Sequence, residues 1–289
     1  MLYVSTTFVK DETPIDQALE LCEKLSIQNF ELGSNHVYEK DYYKIINKYI
    51  KKKFCVHNYF LRPKKDFVVN IASNDIDIRN NSIQHIFKSI DFCDKIGAKL
   101  FTFHPGFLTD PKNENKKGKN YDFLYDNSKI KLINYSNTFD QMLKSIDTIV
   151  NYAKQKKVPI AIETEGSVSK KDHLLLQYPE EFENLKKYFG YNDIKINLNI
   201  GHLNLAMNTF KFKYNSLIKI IDKYIIAFEL SHNNGKNDDH KPLKSEAWYW
   251  ELIADKRFKN CLKILEFRNT SIKKVENNIK LVKEKLNVL

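Results

Sequence analysis

Residues 158–163 read Val-Pro-Ile-Ala-Ile-Glu, a short apolar run that ends on a carboxylate. Near-continuous apolar sequence of this length fits a strand covered on both faces. Just upstream, Met142, Leu143, Ile146, Ile149, Val150 and Ala153 recur at helical spacing over residues 139–155. The same alternation extends outward in both directions. Toward the amino terminus lie runs at 99–104 (KLFTFH), 53–57 (KFCVH), 29–33 and 2–8; toward the carboxyl terminus lie 195–199 (KINLN), 225–229 (IIAFE) and 262–266 (LKILE). Most of these runs end on a polar residue able to bind a metal.

Between the runs, the spacing predicts helices opening at Pro14 and over 78–96, 139–155, 179–189, 215–224, 245–255 and 271–288. Proline suits a first helical turn, and Gly97 suits a helix end. Eight strand–helix units in 289 residues imply parallel strands joined by right-handed crossovers. A closed (β/α)8 TIM barrel spanning residues 1–289 as a single domain is the expected α/β fold. An open doubly wound sheet is the other arrangement, but no glycine-rich GxGxxG turn follows the first run. Residues 105–138, rich in Asn, Lys, Asp and Tyr, form a long insertion after the fourth strand and a candidate lid.

Composition narrows the function classes. No apolar run approaches the roughly 20 residues that span a bilayer, and the opening MLYVSTTFVKDET lacks the pattern of a signal peptide. Cys22, Cys55, Cys93 and Cys261 are widely spaced within apolar runs, as expected for reduced core cysteines in a cytoplasmic protein. The net charge of +11 comes from lysines spread along many helices. That distribution favours solvated faces over a nucleic-acid footprint, with phosphorylated small molecules as the further reading.

In such a barrel the strand carboxyl ends gather at one rim, where active sites form. His57, His104, Glu163, Asn199, Glu229 and Glu266 end runs, while His202, Asp238 and His240 follow in loops. Imidazole and carboxylate are the ligands that zinc, manganese, iron or cobalt select. A buried carboxylate needs a metal or a cation beside it. Arg268 offers Glu266 an ion pair as the alternative, and His232 is ambiguous beside Glu229. His36, His85 and His173 are background, and Trp248, Tyr249 and Trp250 read as packing against the barrel.

The ordered set VHNYF, FHPG, IAIETEG, NIGHLN, ELSHNNGKNDDHKPL and ILEFRN resembles the xylose-isomerase-like TIM-barrel superfamily over nearly the whole chain. That superfamily includes sugar-phosphate isomerases and epimerases and the endonuclease IV family. By this resemblance Glu163 and Glu266 match glutamates that bind metal and exchange protons with substrate. His57, His104, His202, Asp238 and His240 match further metal positions of the endonuclease branch. Asn199 stands where the family has aspartate and Glu229 where it has histidine, so the inner set Glu163, Asn199, Glu229 and Glu266 is all oxygen, suiting Mn2+ or Mg2+; zinc suits the endonuclease-like case. The resemblance implies a metal-dependent isomerase or epimerase of a sugar or sugar phosphate, with Arg62, Lys64, His232, Lys236 and Arg268 facing substrate. The alternatives are a phosphodiester hydrolase acting on abasic DNA and a non-catalytic barrel. Oligomerisation is left open, and a membrane partner is not expected.

Overall fold

The computed structural model describes residues 1–110, 134–168 and 174–287, together with the backbone of 113–115 and 122–124. Eight parallel strands close into a barrel: β1 (Leu2–Ser5), β2 (Asn29–Leu32), β3 (Lys53–His57), β4 (Phe101–Phe103), β7 (Ile160–Glu163), β8 (Ile196–Asn199), β9 (Ile225–Leu230) and β10 (Leu262–Leu265). Two further strands, β5 (Asn113–Asn115) and β6 (Asp122–Leu124), pair antiparallel within the long insertion. β1 pairs with both β2 and β10, so the barrel has no free edge. The expected (β/α)8 barrel is therefore present. All four cysteines are free and buried, and among the described residues no helix is long and apolar enough to cross a membrane.

Local rules explain the larger helices. α3 (Ile76–Ile96) begins at Asp75, whose carboxylate accepts from the Asp77 and Ile78 amides, and ends at Gly97 with φ of 64°. α4 (Tyr135–Lys156) is capped by Asn134 and buries Met142, Leu143, Ile146, Ile149, Val150 and Ala153, the stripe seen in the sequence. α5 (Pro179–Tyr188) opens on proline. α1 (Ile15–Cys22), α7 (Tyr214–Ile221) and α9 (Ile272–Leu286) fall where expected.

Differences from the sequence expectations have local causes. The first run stops as a strand at Ser5 and turns through a 3-10 segment, Thr6–Phe8. α6 (Ile200–Phe210) starts directly on the last residue of β8, with Asn199 as its cap, so no turn signal separates strand from helix. α2 (Tyr42–Ile46) is a single short turn behind Asp41, and the helix expected over 245–255 shrinks to α8 (Tyr249–Ile253). Apart from β5 and β6, the part of the candidate lid within 111–133 lies outside the described residues, as does His173.

The strand register fixes what fills the barrel. Ser5 pairs with Glu31 and Glu31 with Cys55; His57 pairs with Thr102 and Thr102 with Ala161; Glu163 pairs with Asn197 and Asn197 with Ala227. Paired residues of neighbouring strands point to the same face, and strand tilt raises each level by two residues per two strands, so side chains from alternate strands form layers of four. The lowest complete layer is Tyr3, Cys55, Ala161 and Ala227, which sit in one buried apolar cluster. Above it lie Glu31, Thr102, Asn197 and Ile264, then Ser5, His57, Glu163 and Glu229. The top level carries Gly33, His104, Asn199 and Glu266. Polarity thus rises toward the carboxyl ends of the strands.

One glycine ties the rim together. A Cβ on Gly166 would lie 1.9 Å from the His202 carbonyl oxygen, a backbone atom that cannot swing aside. Gly97 needs its left-handed φ but has open space around a Cβ. Gly166→Ala is expected to cost more than about 2 kcal/mol through overpacking, and Gly97→Ala about 1 kcal/mol. Urea unfolding of both variants checks the order, and equal losses would contradict the close approach.

Candidate metal centre

The upper two layers and the loops above them bring together all nine residues singled out as ligands. Glu163 is the hub. Its Oε2 lies 2.8 Å from His57 Nε2 and 3.7 Å from His104 Nε2. Its Oε1 accepts from Asn199 Nδ2 at 2.9 Å and lies 3.2 Å from His202 Nδ1. A second group forms over the barrel mouth, where Asp238 Oδ2 lies 2.8 Å from His240 Nε2 and 3.6 Å from His202 Nε2. In each triad, His57–His104–Glu163 and His202–Asp238–His240, the donor atoms all lie within 4.8 Å of one another.

The imidazoles are oriented for this arrangement. His202 Nδ1 donates to the Thr164 carbonyl at 2.9 Å; because a carbonyl only accepts, Nδ1 carries a proton, and Nε2 is the nitrogen that faces Asp238. His104 Nδ1 lies 2.5 Å from Glu165 Oε1, which likewise leaves Nε2 facing Glu163. Carboxylate or carbonyl partners behind a ligating histidine fix its tautomer and raise its basicity. His240 adopts a φ of 43°, in the left-handed region that costs an ordinary residue energy.

The inner set is arranged differently. Asn199 Oδ1 accepts from the His202 amide at 3.1 Å as the cap of α6, while its Nδ2 donates to Glu163 at 2.9 Å and to Glu229 at 3.0 Å. Turning the amide over would set its oxygen against two carboxylates and break the cap. Asn197 Nδ2 donates to the other Glu229 oxygen at 2.9 Å. Asn199 and Glu229 therefore satisfy each other by hydrogen bonds, and the open coordination lies in the two histidine triads. Asp238 Oδ1 is buried without a hydrogen-bond partner, which fits a group awaiting an ion. Two imidazoles and one carboxylate suit zinc and its transition-metal neighbours, and three protein ligands leave a position for water or substrate.

Electrostatics follow from burial and mutual contact. Burial disfavours the charge on Glu163, but His104, His202 and His57 outweigh it and hold the carboxyl well below the usual range. Against the same burial penalty, His240 and His202 hold Asp238 well below its usual range, and His240 and His57 bring Glu266 down to about 2. His57 and His240 rise to about 9 despite burial because carboxylates surround them. Glu229 goes the other way: burial, then Glu163, Glu266 and Glu31, push it well above the usual range.

The remaining substrate-facing candidates are placed less centrally. Arg62 pairs with Asp66 at 2.5 Å and donates to the His36 carbonyl. Lys236 is exposed on the loop after β9. His232 bridges that loop through backbone hydrogen bonds with Lys241, and its ring lies 6.1 Å from Tyr249. The Arg268 amide donates to the His240 carbonyl, while Glu266 Oε2 has His240 Nδ1 at 3.0 Å as its ion-pair partner. Trp250 is buried and donates to the Lys244 carbonyl, which agrees with a packing role. Glu165, Asn197 and Glu31 were missed. Each lies one or more two-residue steps along a strand face, or one paired strand, from a residue already singled out.

Comparisons place this geometry among known proteins. The chain is 27% identical over 290 residues to an uncharacterized protein of Methanocaldococcus jannaschii, with 98% of each covered. Its fold matches a D-tagatose 3-epimerase-like protein with a TM-score of 0.72 at 19% identity, covering 99% of this chain and 97% of that one. It also matches endonuclease IV from Thermus thermophilus, with a TM-score of 0.62 at 11% identity, covering 100% and 99%. Both structural likenesses are likenesses of fold. The family model for the xylose isomerase-like TIM barrel matches residues 15–289, and the chain belongs to that family.

Proposed function

We propose that the protein is a divalent-metal-dependent hydrolase of phosphate esters, acting on a phosphodiester. The observation that carries this reading is the pair of histidine–carboxylate triads on one rim, each with its donor atoms within 4.8 Å. Two ions bound a few ångströms apart supply charge stabilisation for a phosphoryl group and a nucleophile at neutral pH. His57, His104 and Glu163 would hold one ion, and His202, Asp238 and His240 the other. Glu266, paired with His240 at 3.0 Å, is the carboxylate that would orient attacking water by accepting a hydrogen bond from it. Thr164 and Glu165 keep His202 and His104 in their working tautomers. Arg268 and Lys236 add positive charge near the rim, as does the net charge of +11 overall.

The isomerase reading, first choice from the sequence, needs one ion on the inner oxygen set with Glu163 and Glu266 as base and acid. The likeness to the D-tagatose 3-epimerase-like fold favours it. Against it, the Asn199 oxygen is committed to its cap and Asn199 Nδ2 donates to both Glu163 and Glu229, so hydrogen bonds close the inner set. Metal content separates the two readings. The hydrolase should carry two zinc-class ions per chain and cleave bis(4-nitrophenyl) phosphate or an oligonucleotide with an abasic site. One manganese per chain, with solvent deuterium entering a ketose and vanishing in Glu163→Gln, would establish the isomerase instead.

Asp238→Asn should lose one of the two ions and lower kcat/KM roughly 100-fold or more, read by metal analysis and steady-state hydrolysis. A variant with full metal content and unchanged kcat/KM would remove Asp238 from the site.

The pH response of the metal-free protein also follows. His57 and His240, raised to about 9, contribute stability that is complete below the unfolded value of about 6.5 and is lost as pH climbs through about 9. Glu266, lowered to about 2, contributes stability present above about 4.3 and lost as pH falls through about 2. The Tm in chelator should therefore fall from pH 6.5 to 9. Zinc binds neutral imidazole, so the Tm gain on adding zinc should widen over that same range. A flat metal-free profile would contradict the imidazole–carboxylate contacts.

A further inference from the structure

Directly beneath the rim, the layer of Glu31, Thr102, Asn197 and Ile264 is built unlike a barrel core. Its three polar members are each 0% exposed. Both Glu31 carboxylate oxygens, Thr102 Oγ1 and Asn197 Oδ1 lack a well-formed hydrogen bond. The strand register brings these side chains to one level from alternate strands, where they converge on the barrel axis. Asn197 is held in one orientation: its Nδ2 donates upward to Glu229, which leaves only the amide oxygen for its own layer. The layer below contributes Ala161 and Ala227, the two smallest side chains of the apolar cluster.

We propose that this layer is a cation site distinct from the histidine triads, oxygen-only and suited to a hard alkali cation, Na+ or K+. Three of its oxygens, two from carboxylate and one from amide, can only accept while Glu31 is ionised. The hydroxyls at hand are Thr102 in the layer and Ser5, which is paired with Glu31 across β1 and β2 and accepts from Thr7 at 3.1 Å. Two hydroxyl protons cannot serve three acceptors fully, and the positive charge that faces Glu31, His57 in the layer above, is already engaged by Glu163. One carboxylate with neutral hydroxyl and amide oxygens carries a single negative charge, which one monovalent ion balances. Ligands that are all oxygen, with no imidazole nitrogen, select a hard cation over zinc. The ion would fix Glu31 and Asn197, and through Asn197 the orientation of Glu229 under the rim. The site does not depend on the reaction proposed for the triads.

The test uses the full chain as purified. Thermal unfolding is followed at constant ionic strength in NaCl, KCl or tetramethylammonium chloride. Binding to the folded state alone predicts a Tm about 2–4 °C higher in at least one alkali salt at concentrations near ten times Kd. The difference should disappear in Glu31→Gln and shrink in Thr102→Val. Crystals soaked in Rb+ or Tl+ should show an anomalous peak between Glu31, Thr102 and Asn197, a readout that survives poor folding of either variant. Equal Tm values in all three salts for the wild type, as a protonated Glu31 would give, or a soaked crystal with only water at that level, would overturn the site. Loss of zinc from the rim would leave the alkali response unchanged, so the two proposals fail separately.

Discussion

The stagger of an eight-stranded parallel barrel decides what every inward side chain meets. Register advances by two residues for every second strand, so the chain must supply side chains to shared levels from positions far apart in sequence. Here the lower level is apolar, with Tyr3, Cys55, Ala161 and Ala227, and the carboxylates and imidazoles all lie on the levels above it. A one-residue slip would send Glu163, Glu229 and Glu31 outward among the apolar residues under the helices and bring those residues into the barrel. The register and the polar interior therefore stand or fall together.

That polar interior is expensive unless it is compensated. Burying an unpaired ion costs several kcal/mol after relaxation, a large share of a net stability of about 5–15 kcal/mol. The structure answers differently at each level. Glu163 is surrounded by His57, His202 and Asn199. Glu229 takes two amide donors, one from Asn197 and one from Asn199. Asp238 and Glu266 share His240 between them. Asn199 and Glu229, where the resemblance leads one to expect aspartate and histidine, are coupled in the same way: the Asn199 amide donates to the Glu229 carboxylate. The inner position is a hydrogen-bonded strut between the two triads.

The barrel was legible because buried parallel strands and amphipathic helices have different periods. The run at 158–163 and the stripe from Met142 to Ala153 fall on β7 and α4 nearly as expected. α6 escaped notice because Asn199 is both the last residue of its strand and the cap of the helix. The rim residues were legible as polar ends of apolar runs, but their grouping was not. Glu163 joins His57 across 106 positions of sequence, and nothing in local spacing records that. Glu165 and Asn197 follow the two-residue period of their strands and could have been found by it. Glu31 sits mid-strand in NFEL and acquires meaning only from the layer it enters.

The central claim is that the two histidine–carboxylate triads, and not the inner oxygen set, hold the metal. Anomalous diffraction at the zinc edge from a zinc-soaked crystal tests it most directly. The account predicts two peaks, one bounded by His57, His104 and Glu163 and the other by His202, Asp238 and His240. A single peak between Glu163, Asn199, Glu229 and Glu266, with Asn199 turned to offer its oxygen, would contradict it.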